Sequence, residues 1–129
     1  MSNQPALFLD RDGTLIKDAH YLSDPDQLET FSEAGAALKK ARKNGFLLFL
    51  HTNQSGIARG YFSLSEVHAC NARMMRQFDW SEDFLTEICI ACEGPEELGG
   101  FRKPSPRFEL EMERKYGLDS SASWVVGDK

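Results

Sequence analysis

Short apolar runs alternate with longer segments of helical periodicity along this chain. The runs cover residues 6–9, 46–50, 88–91 and 123–126. They are continuous rather than alternating, which is typical of strands buried on both faces, as in a parallel sheet. The pattern therefore predicts four strands of one parallel sheet.

Each helical segment between the runs has a start signal and a stop signal. Ser32 is expected to cap a helix over 33–43 that ends at Asn44-Gly45, and Pro106 is expected as the first helical residue of a helix closed by Gly117. A capping box, Ser63 to Glu66, opens a helix that runs to about residue 78. The inward face of the first helix is predicted from its apolar positions: Ala34, Ala37, Leu38 and Ala41.

The order strand-loop-helix-strand-helix-strand-helix-strand favours an open α/β sheet with right-handed crossovers and helices in outer layers. The chain has 129 residues, 41% apolar and 27% charged, which indicates one domain over residues 1–129. Its longest apolar run, residues 45–50, is far below the roughly 20 residues that span a bilayer. We expect no membrane partner.

Charge and cysteine content narrow the class further. The net charge is −5, which argues against a general nucleic-acid binder. There are three cysteines, an odd number, and the chain does not open with a signal-peptide pattern. This combination predicts reduced thiols and a cytoplasmic protein.

Polar residues follow each predicted strand, and the carboxyl ends of parallel strands are where such sheets bind ligands. Asp10 and Asp12 follow the first run, with Gly13 permitting a tight turn. One carboxylate could attack as a nucleophile while the other donates a proton. A surface turn in which the Asp side chains accept main-chain hydrogen bonds explains the same residues.

The other strand ends add groups that suit a phosphate and a metal ion. Thr52 and Asn53 follow the second run, Lys103 precedes the third helix, and Asp128 follows the last run. Taken singly, they read equally as a polar connection, a solvated cation and a frayed terminus. Taken together, three acidic groups around one Mg²⁺ and donors around one phosphate point to phosphoryl transfer.

Two sets of motifs carry a family resemblance. The segment 8–15 (FLDRDGTL), Thr52, Lys103 and Gly127-Asp128 resembles the four motifs of the haloacid dehalogenase (HAD) superfamily. The segments 52–60, 71–74, 102–104 and 127–129 are similar to its branch of D-glycero-β-D-manno-heptose 1,7-bisphosphate phosphatases and histidinol-phosphatases. This implies a HAD-like Rossmannoid fold, a three-layer α/β/α sandwich, with no large cap domain.

The resemblance also implies roles for individual residues. Asp10 is the nucleophile that forms an aspartyl-phosphate, and Asp12 protonates the leaving oxygen and later activates water. Mg²⁺ is held by Asp10, the main-chain carbonyl of Asp12 and Asp128. The phosphate- and substrate-binding residues it implies are Thr52, Asn53, Arg102, Lys103, Asp18, His20, Tyr21, Gln54, Ser55, Arg59 and Lys129.

The sequence departs from the branch in two places. Relatives carry a zinc loop of four Cys and His ligands, whereas here Cys89 and Cys92 lack a following histidine and Phe101 replaces a cysteine, so zinc is not expected. Relatives also continue past residue 129 with a strand and helices. We expect these to be lacking here, which would leave the edge at 124–126 uncovered and favour a homodimer.

The substrate remains open among three readings. The first is a small sugar phosphate resembling heptose 1,7-bisphosphate, and the second is histidinol phosphate. The third is a truncated, inactive domain that binds phosphorylated ligands. A DNA 3′-phosphatase is disfavoured by the acidic charge balance.

Overall fold

The computed structural model describes residues 4–18, 21–92, 100–103 and 105–127. Its centre is one four-stranded sheet in the order β3-β2-β1-β4, with every pairing parallel. The strands are β1 (Ala6–Leu9), β2 (Leu47–Asn53), β3 (Glu87–Ala91) and β4 (Trp124–Val126). The predicted open parallel sheet is confirmed.

The three predicted helices are present, together with a short fourth one. The helices are α1 (Ser32–Lys43), α2 (Ser55–Ala58), α3 (Leu64–Gln77) and α4 (Arg107–Tyr116), and single 3₁₀ turns lie at Pro25–Gln27 and Ser120–Ala122. The sequence did not reveal α2 because four residues make barely one turn and leave no periodic pattern.

The ends of the helices follow local chemistry, with two corrections. The capping box is confirmed, since the Ser63 side chain accepts from the Glu66 amide and the Glu66 side chain from the Ser63 amide. Ser32 is the first residue of α1 rather than its cap, because Phe31 holds the extended capping position. Pro106 likewise precedes α4 instead of opening it, and Gly117 ends α4 in the left-handed region at φ 64°.

Alternate side chains of the strands bury into two separate cores. On one face, Leu9, Leu48 and Leu50 pack with α1 and α3. On the other face, Phe8 and Phe49 pack with Phe108 and Met112 of α4. Helices therefore cover both faces, and the predicted three-layer α/β/α arrangement is confirmed.

The buried face of α1 differs from the prediction at one position. Ala37 is exposed, and Gly35 is buried in its place. A Cβ atom at residue 35 would lie 2.6 Å from Cδ1 of Phe78, so only glycine lets α1 approach that ring closely. Apolar scoring overlooks such a position because glycine has no side chain to count.

The edge strand β4 has exposed side chains in the described part of the chain. Trp124 is 67% and Val125 is 64% exposed. A homodimer through this edge stays a prediction. Within the described ranges, each helix falls short of the length and apolarity that crossing a membrane demands.

Candidate active site

Asp10 lies at the junction of β1, β4 and the segment that carries Lys103. Its amide donates to the carbonyl of Val126 at 3.0 Å, which ties the residue to the end of β4. Its carboxylate is 18% exposed, and Oδ1 accepts from the Arg11 amide at 2.9 Å and pairs with Lys103 Nζ at 3.1 Å. A carboxylate and an ammonium group thus meet at the carboxyl edge of the sheet.

Asp12 sits on a tight turn that follows β1. The carbonyl of Arg11 accepts from the amides of residues 14–16, and the Gly13 amide donates to Ile16 at 2.7 Å. Gly13 has φ 83°, which an L side chain rarely adopts. These hydrogen bonds fix the main chain at Asp12, which carries the second carboxylate.

Arg11 holds Asp12 from below, a role that the sequence analysis missed. Its side chain is fully buried, and Nη2 lies 3.3 and 3.2 Å from the two oxygens of Asp12. Nη1 donates to Oδ1 of Asn71 on α3 at 3.1 Å. The signal available in sequence was an arginine between two motif aspartates, since a buried guanidinium needs anionic or polar partners.

Cys70 lies next to Asn71 in the core beneath these groups. Its side chain is fully buried. Burial raises the pKa of the Cys70 thiol, and the Arg11 charge only partly opposes that effect. Cys70 is therefore a neutral core residue at pH 7.

Thr52 and Gln54 link the end of β2 to Asp12. A single amide nitrogen, Gln54 Nε2, lies 2.8 Å from Thr52 Oγ1 and 3.0 Å from Asp12 Oδ2. Gln54, which the family resemblance implies as a substrate-binding residue, is only 4% exposed, and its contact with a substrate stays a prediction. Its amide points inward because it can donate to buried Thr52 and to the partly exposed Asp12 carboxylate.

Asn53 binds the main chain of Lys103 with both ends of its side chain. Its Oδ1 accepts from the Lys103 amide at 2.9 Å, and its Nδ2 donates to the Lys103 carbonyl at 3.3 Å. The side chain thus holds the segment that delivers the ammonium group to Asp10. A direct contact of Asn53 with a phosphoryl group stays a prediction.

The remaining residues expected to bind substrate are only partly described. Tyr21 has φ 63° and packs edge-to-face on Tyr61 with ring centroids 4.8 Å apart. Ser55 begins α2, exposed Arg59 ends it, and Asp18 is exposed. Half-buried Arg102 accepts from the Ser105 amide at its carbonyl. The residues His20, Asp128 and Lys129, which the sequence analysis placed in the site, lie outside the described residues.

The described residues include oxygen donors of the kind that a magnesium ion binds. No group of three His, Cys, Asp or Glu side chains able to hold a metal occurs among them. Asp10 offers carboxylate oxygens, and Gly127 is close enough that a Cβ built on it would lie 3.4 Å from Asp10 Cβ. Oxygen donors on a tight turn fit a hard cation such as Mg²⁺. Cys89 and Cys92 are both half-buried, and the absence of zinc stays a prediction.

Comparison with known proteins identifies the family. The family model described as "Polynucleotide kinase 3 phosphatase" matches residues 6–129. The chain belongs to this phosphatase family of the HAD superfamily. The match covers both carboxylates of the site, Lys103 and the strand ends that carry them.

Relatives with curated names are similar to this chain over nearly its whole length. The D-glycero-beta-D-manno-heptose-1,7-bisphosphate 7-phosphatase of Mesorhizobium japonicum is 38% identical over 133 residues, covering 97% of this chain. The chain spans 61% of that protein's length. The Haemophilus ducreyi protein of the same name is also 38% identical, covering 96% of this chain and 72% of the relative.

A solved structure gives the same assignment of fold. The chain is similar to D,D-heptose 1.7-bisphosphate phosphatase from B. bronchiseptica, complexed with magnesium and phosphate, with a TM-score of 0.84 and 28% identity. The superposition covers 97% of this chain and 70% of that one. The predicted HAD-like fold and family are both confirmed.

Proposed function

We propose that this protein is a Mg²⁺-dependent phosphomonoesterase that acts on a small sugar phosphate resembling heptose 1,7-bisphosphate. The observation that carries the proposal is the Asp10 carboxylate, 3.1 Å from the Lys103 ammonium and two residues from a second carboxylate on a locked turn. Nucleophile, acid and cation thus share one edge of the sheet.

In the first step Asp10 attacks the phosphorus atom. Among the described residues both contacts of its carboxylate engage Oδ1, which leaves Oδ2 for the attack. The new bond joins Oδ2 to phosphorus, the ester oxygen–phosphorus bond breaks, and protonated Asp12 gives its proton to the leaving oxygen. The Lys103 ammonium offsets charge on the phosphoryl oxygens.

The second step returns the enzyme to its starting state. Asp12, now ionised, takes a proton from a water molecule that attacks the aspartyl-phosphate. Inorganic phosphate leaves, the Asp10 carboxylate is restored and Asp12 is protonated again. Arg11 and Gln54 keep the Asp12 carboxylate oriented through both steps.

The proposed metal ligands are the three that the family resemblance implies. Asp10, the main-chain carbonyl of Asp12 and Asp128 would hold Mg²⁺, which supplies positive charge to the phosphoryl oxygens. The magnesium and phosphate found in the relative from B. bronchiseptica support Mg²⁺ as the cofactor. Thr52, Asn53, Arg102 and Lys129 are proposed as further phosphate contacts.

The sugar phosphate is chosen from the names of the relatives. Both relatives that are 38% identical carry the heptose bisphosphatase name. The description of the family model favours a second candidate, a polynucleotide 3′-phosphate. The net charge of −5 disfavours it, because a nucleic-acid site needs basic groups along the phosphates. An odd number of cysteines suits a reducing compartment, and we propose the cytoplasm and carbohydrate metabolism.

Phosphate release from a panel of esters tests the proposal. The panel holds a heptose 1,7-bisphosphate, histidinol phosphate and a 3′-phosphorylated oligonucleotide, each with Mg²⁺ and with a chelator. We expect Mg²⁺-dependent turnover that favours the heptose bisphosphate and is absent from Asp10→Asn. Turnover no greater than that of Asp10→Asn would contradict the proposed phosphatase activity. A preference for histidinol phosphate or the oligonucleotide would contradict the proposed sugar-phosphate substrate and identify the preferred ester in its place.

A further inference from the structure

His51 is a buried histidine beside the site whose two ring nitrogens both have protein partners. It is 1% exposed and directly precedes Thr52 in β2. Nδ1 lies 2.6 Å from Oε2 of Glu109 on α4, and Nε2 lies 2.7 Å from the carbonyl oxygen of Phe101. The ring therefore bridges β2, α4 and the segment that leads into Lys103.

The partner of Nε2 determines that this ring nitrogen carries a hydrogen. A carbonyl oxygen only accepts, so Nε2 carries a hydrogen and donates it to Phe101. The contact with Glu109 holds one proton, whether as imidazolium beside carboxylate or as imidazole beside carboxylic acid. Both forms keep the Nε2 donor in place, and the carboxyl group locks the orientation of the ring.

The segment 101–103 is docked on β2 at two points. Alternate side chains of a strand share a face, so His51 and Asn53 point to the same side of the sheet. His51 binds the Phe101 carbonyl, and Asn53 binds the amide and the carbonyl of Lys103. Lys103 Nζ then reaches Oδ1 of Asp10 at 3.1 Å. The ammonium position is thereby set by hydrogen bonds to β2.

We propose that His51, oriented by Glu109, is a positioning residue that holds the Lys103 ammonium at the nucleophile. The catalytic part of this inference rests on the proposed phosphatase function. The hydrogen bond from His51 to Phe101 connects it to the Lys103 ammonium through the segment 101–103. A shift of about 1 Å in a catalytic group can lower rates by as much as a hundredfold. Because the His51–Phe101 hydrogen bond sets the position of the Lys103 ammonium at Asp10, its loss should lower kcat more than it raises KM.

A merely structural role makes a different prediction. If the His51–Glu109 pair only docked α4 on the sheet, its loss would loosen the whole helix. Lys115 reports on that docking, because it lies on α4 and pairs with Glu87 of β3 at 2.5 Å. Lys103 and Lys115 therefore separate local positioning from loosening of α4.

Lysine labelling with an amine-reactive reagent, read by mass spectrometry, tests the proposal without relying on activity. Two variants, His51→Val and Glu109→Leu, remove the His51–Glu109 contact, which we call the clamp. Glu109→Gln is the matched rescue, because its amide can donate to Nδ1 and keep the ring oriented. Loss of a hydrogen bond of about 1 kcal/mol raises the labelling rate of Lys103 about fivefold in the first two variants. Labelling of Lys115 stays unchanged, and Glu109→Gln matches the wild type.

The kinetic readout is a lower kcat with little change in KM for His51→Val and Glu109→Leu, restored in Glu109→Gln. Equal increases at Lys103 and Lys115, or unchanged labelling of Lys103 in both clamp variants, would overturn the positioning role. Glu109 is partly exposed, so Glu109→Leu still tests the proposal if His51→Val does not fold. A selective rise at Lys103 in a protein that hydrolyses no ester supports the positioning and overturns only the phosphatase.

Discussion

Replacing Lys103 with methionine separates what the site contributes to catalysis from what it contributes to folding. The substitution keeps the length and apolar stem of the side chain and removes the ammonium group 3.1 Å from Asp10. The matched control is Lys17→Met, since Lys17 pairs with Glu29 at 2.9 Å but both side chains are more than 60% exposed. Two ion pairs of similar length thus differ in burial and location.

The geometry sets the size of both effects. At 3.1 Å and an effective dielectric of about 20, the Lys103–Asp10 attraction is roughly 5 kcal/mol. Both side chains remain about one-fifth exposed, so desolvation and solvent screening reduce the net contribution to roughly 1–2 kcal/mol of stability. Removing a cation that offsets transition-state charge costs about 3–4 kcal/mol, or 10²–10³ in kcat.

Urea unfolding and steady-state phosphate release on the same preparations measure the two numbers. We expect Lys103→Met to lose at least a hundredfold in kcat and less than about 2 kcal/mol of stability. Lys17→Met should keep its kcat and lose about 0.2–1 kcal/mol. A loss in kcat below tenfold for Lys103→Met, with the fold intact, would refute the assignment of Lys103 to the transferring phosphoryl group.

Three further predictions concern packing, pH and the sheet edge. Gly35→Ala should lower the free energy of unfolding by about 1–2 kcal/mol in a urea titration, because the new Cβ would lie 2.6 Å from Phe78, which outweighs the helix propensity gained. Hydrogen bonds from Lys115 and Tyr116 lower the pKa of Glu87 from its ordinary value of 4.5. Their contribution to stability is therefore present above pH 4.5 and is lost as the pH falls through the lowered pKa of the folded state. Glu87→Gln should therefore lower the free energy of unfolding by about 0.5 kcal/mol at pH 7 and by progressively less below pH 4.5. An equal loss at high and low pH would contradict a stabilising ion pair between Glu87 and Lys115. Val125→Lys should weaken any concentration-dependent association seen by sedimentation, since it charges the exposed face of β4; dimerisation that is unaffected would place the interface elsewhere.

The strands and the meeting of chemical groups at their ends could be predicted from sequence, because buried parallel strands leave continuous apolar runs. The end of β2 could not, since the strand continues through His51, Thr52 and Asn53 after the apolar run stops. These polar side chains are tolerated in the sheet because each has a hydrogen-bond partner. Thr52 is bonded by nearby Gln54, but the partners of His51 and Asn53 are 58 and 50 positions away and become visible only in the folded chain.

The same limit applies to the site. Gln54 was expected among the substrate-binding residues because of the family resemblance, which says nothing of its burial. It is buried because Asp12, 42 positions earlier in the chain, accepts its amide hydrogen. Arg11 was overlooked since its partner Asn71 is 60 positions away. Pattern and motif locate the reacting groups, whereas the groups that orient them depend on tertiary contacts.

The hydrogen bond from the Asp10 amide to Val126 makes Asp10, the proposed nucleophile, a reporter of local opening. Val126 belongs to a three-residue edge strand with exposed side chains, which is the kind of element that opens at the lowest free energy. The Asp10 amide should therefore exchange with deuterium faster than the amides of the central strand β2. Each opening of β4 releases one support of the nucleophile without unfolding the domain. Substitutions in this strand can thus reduce the fraction of competent molecules while the melting temperature remains unchanged.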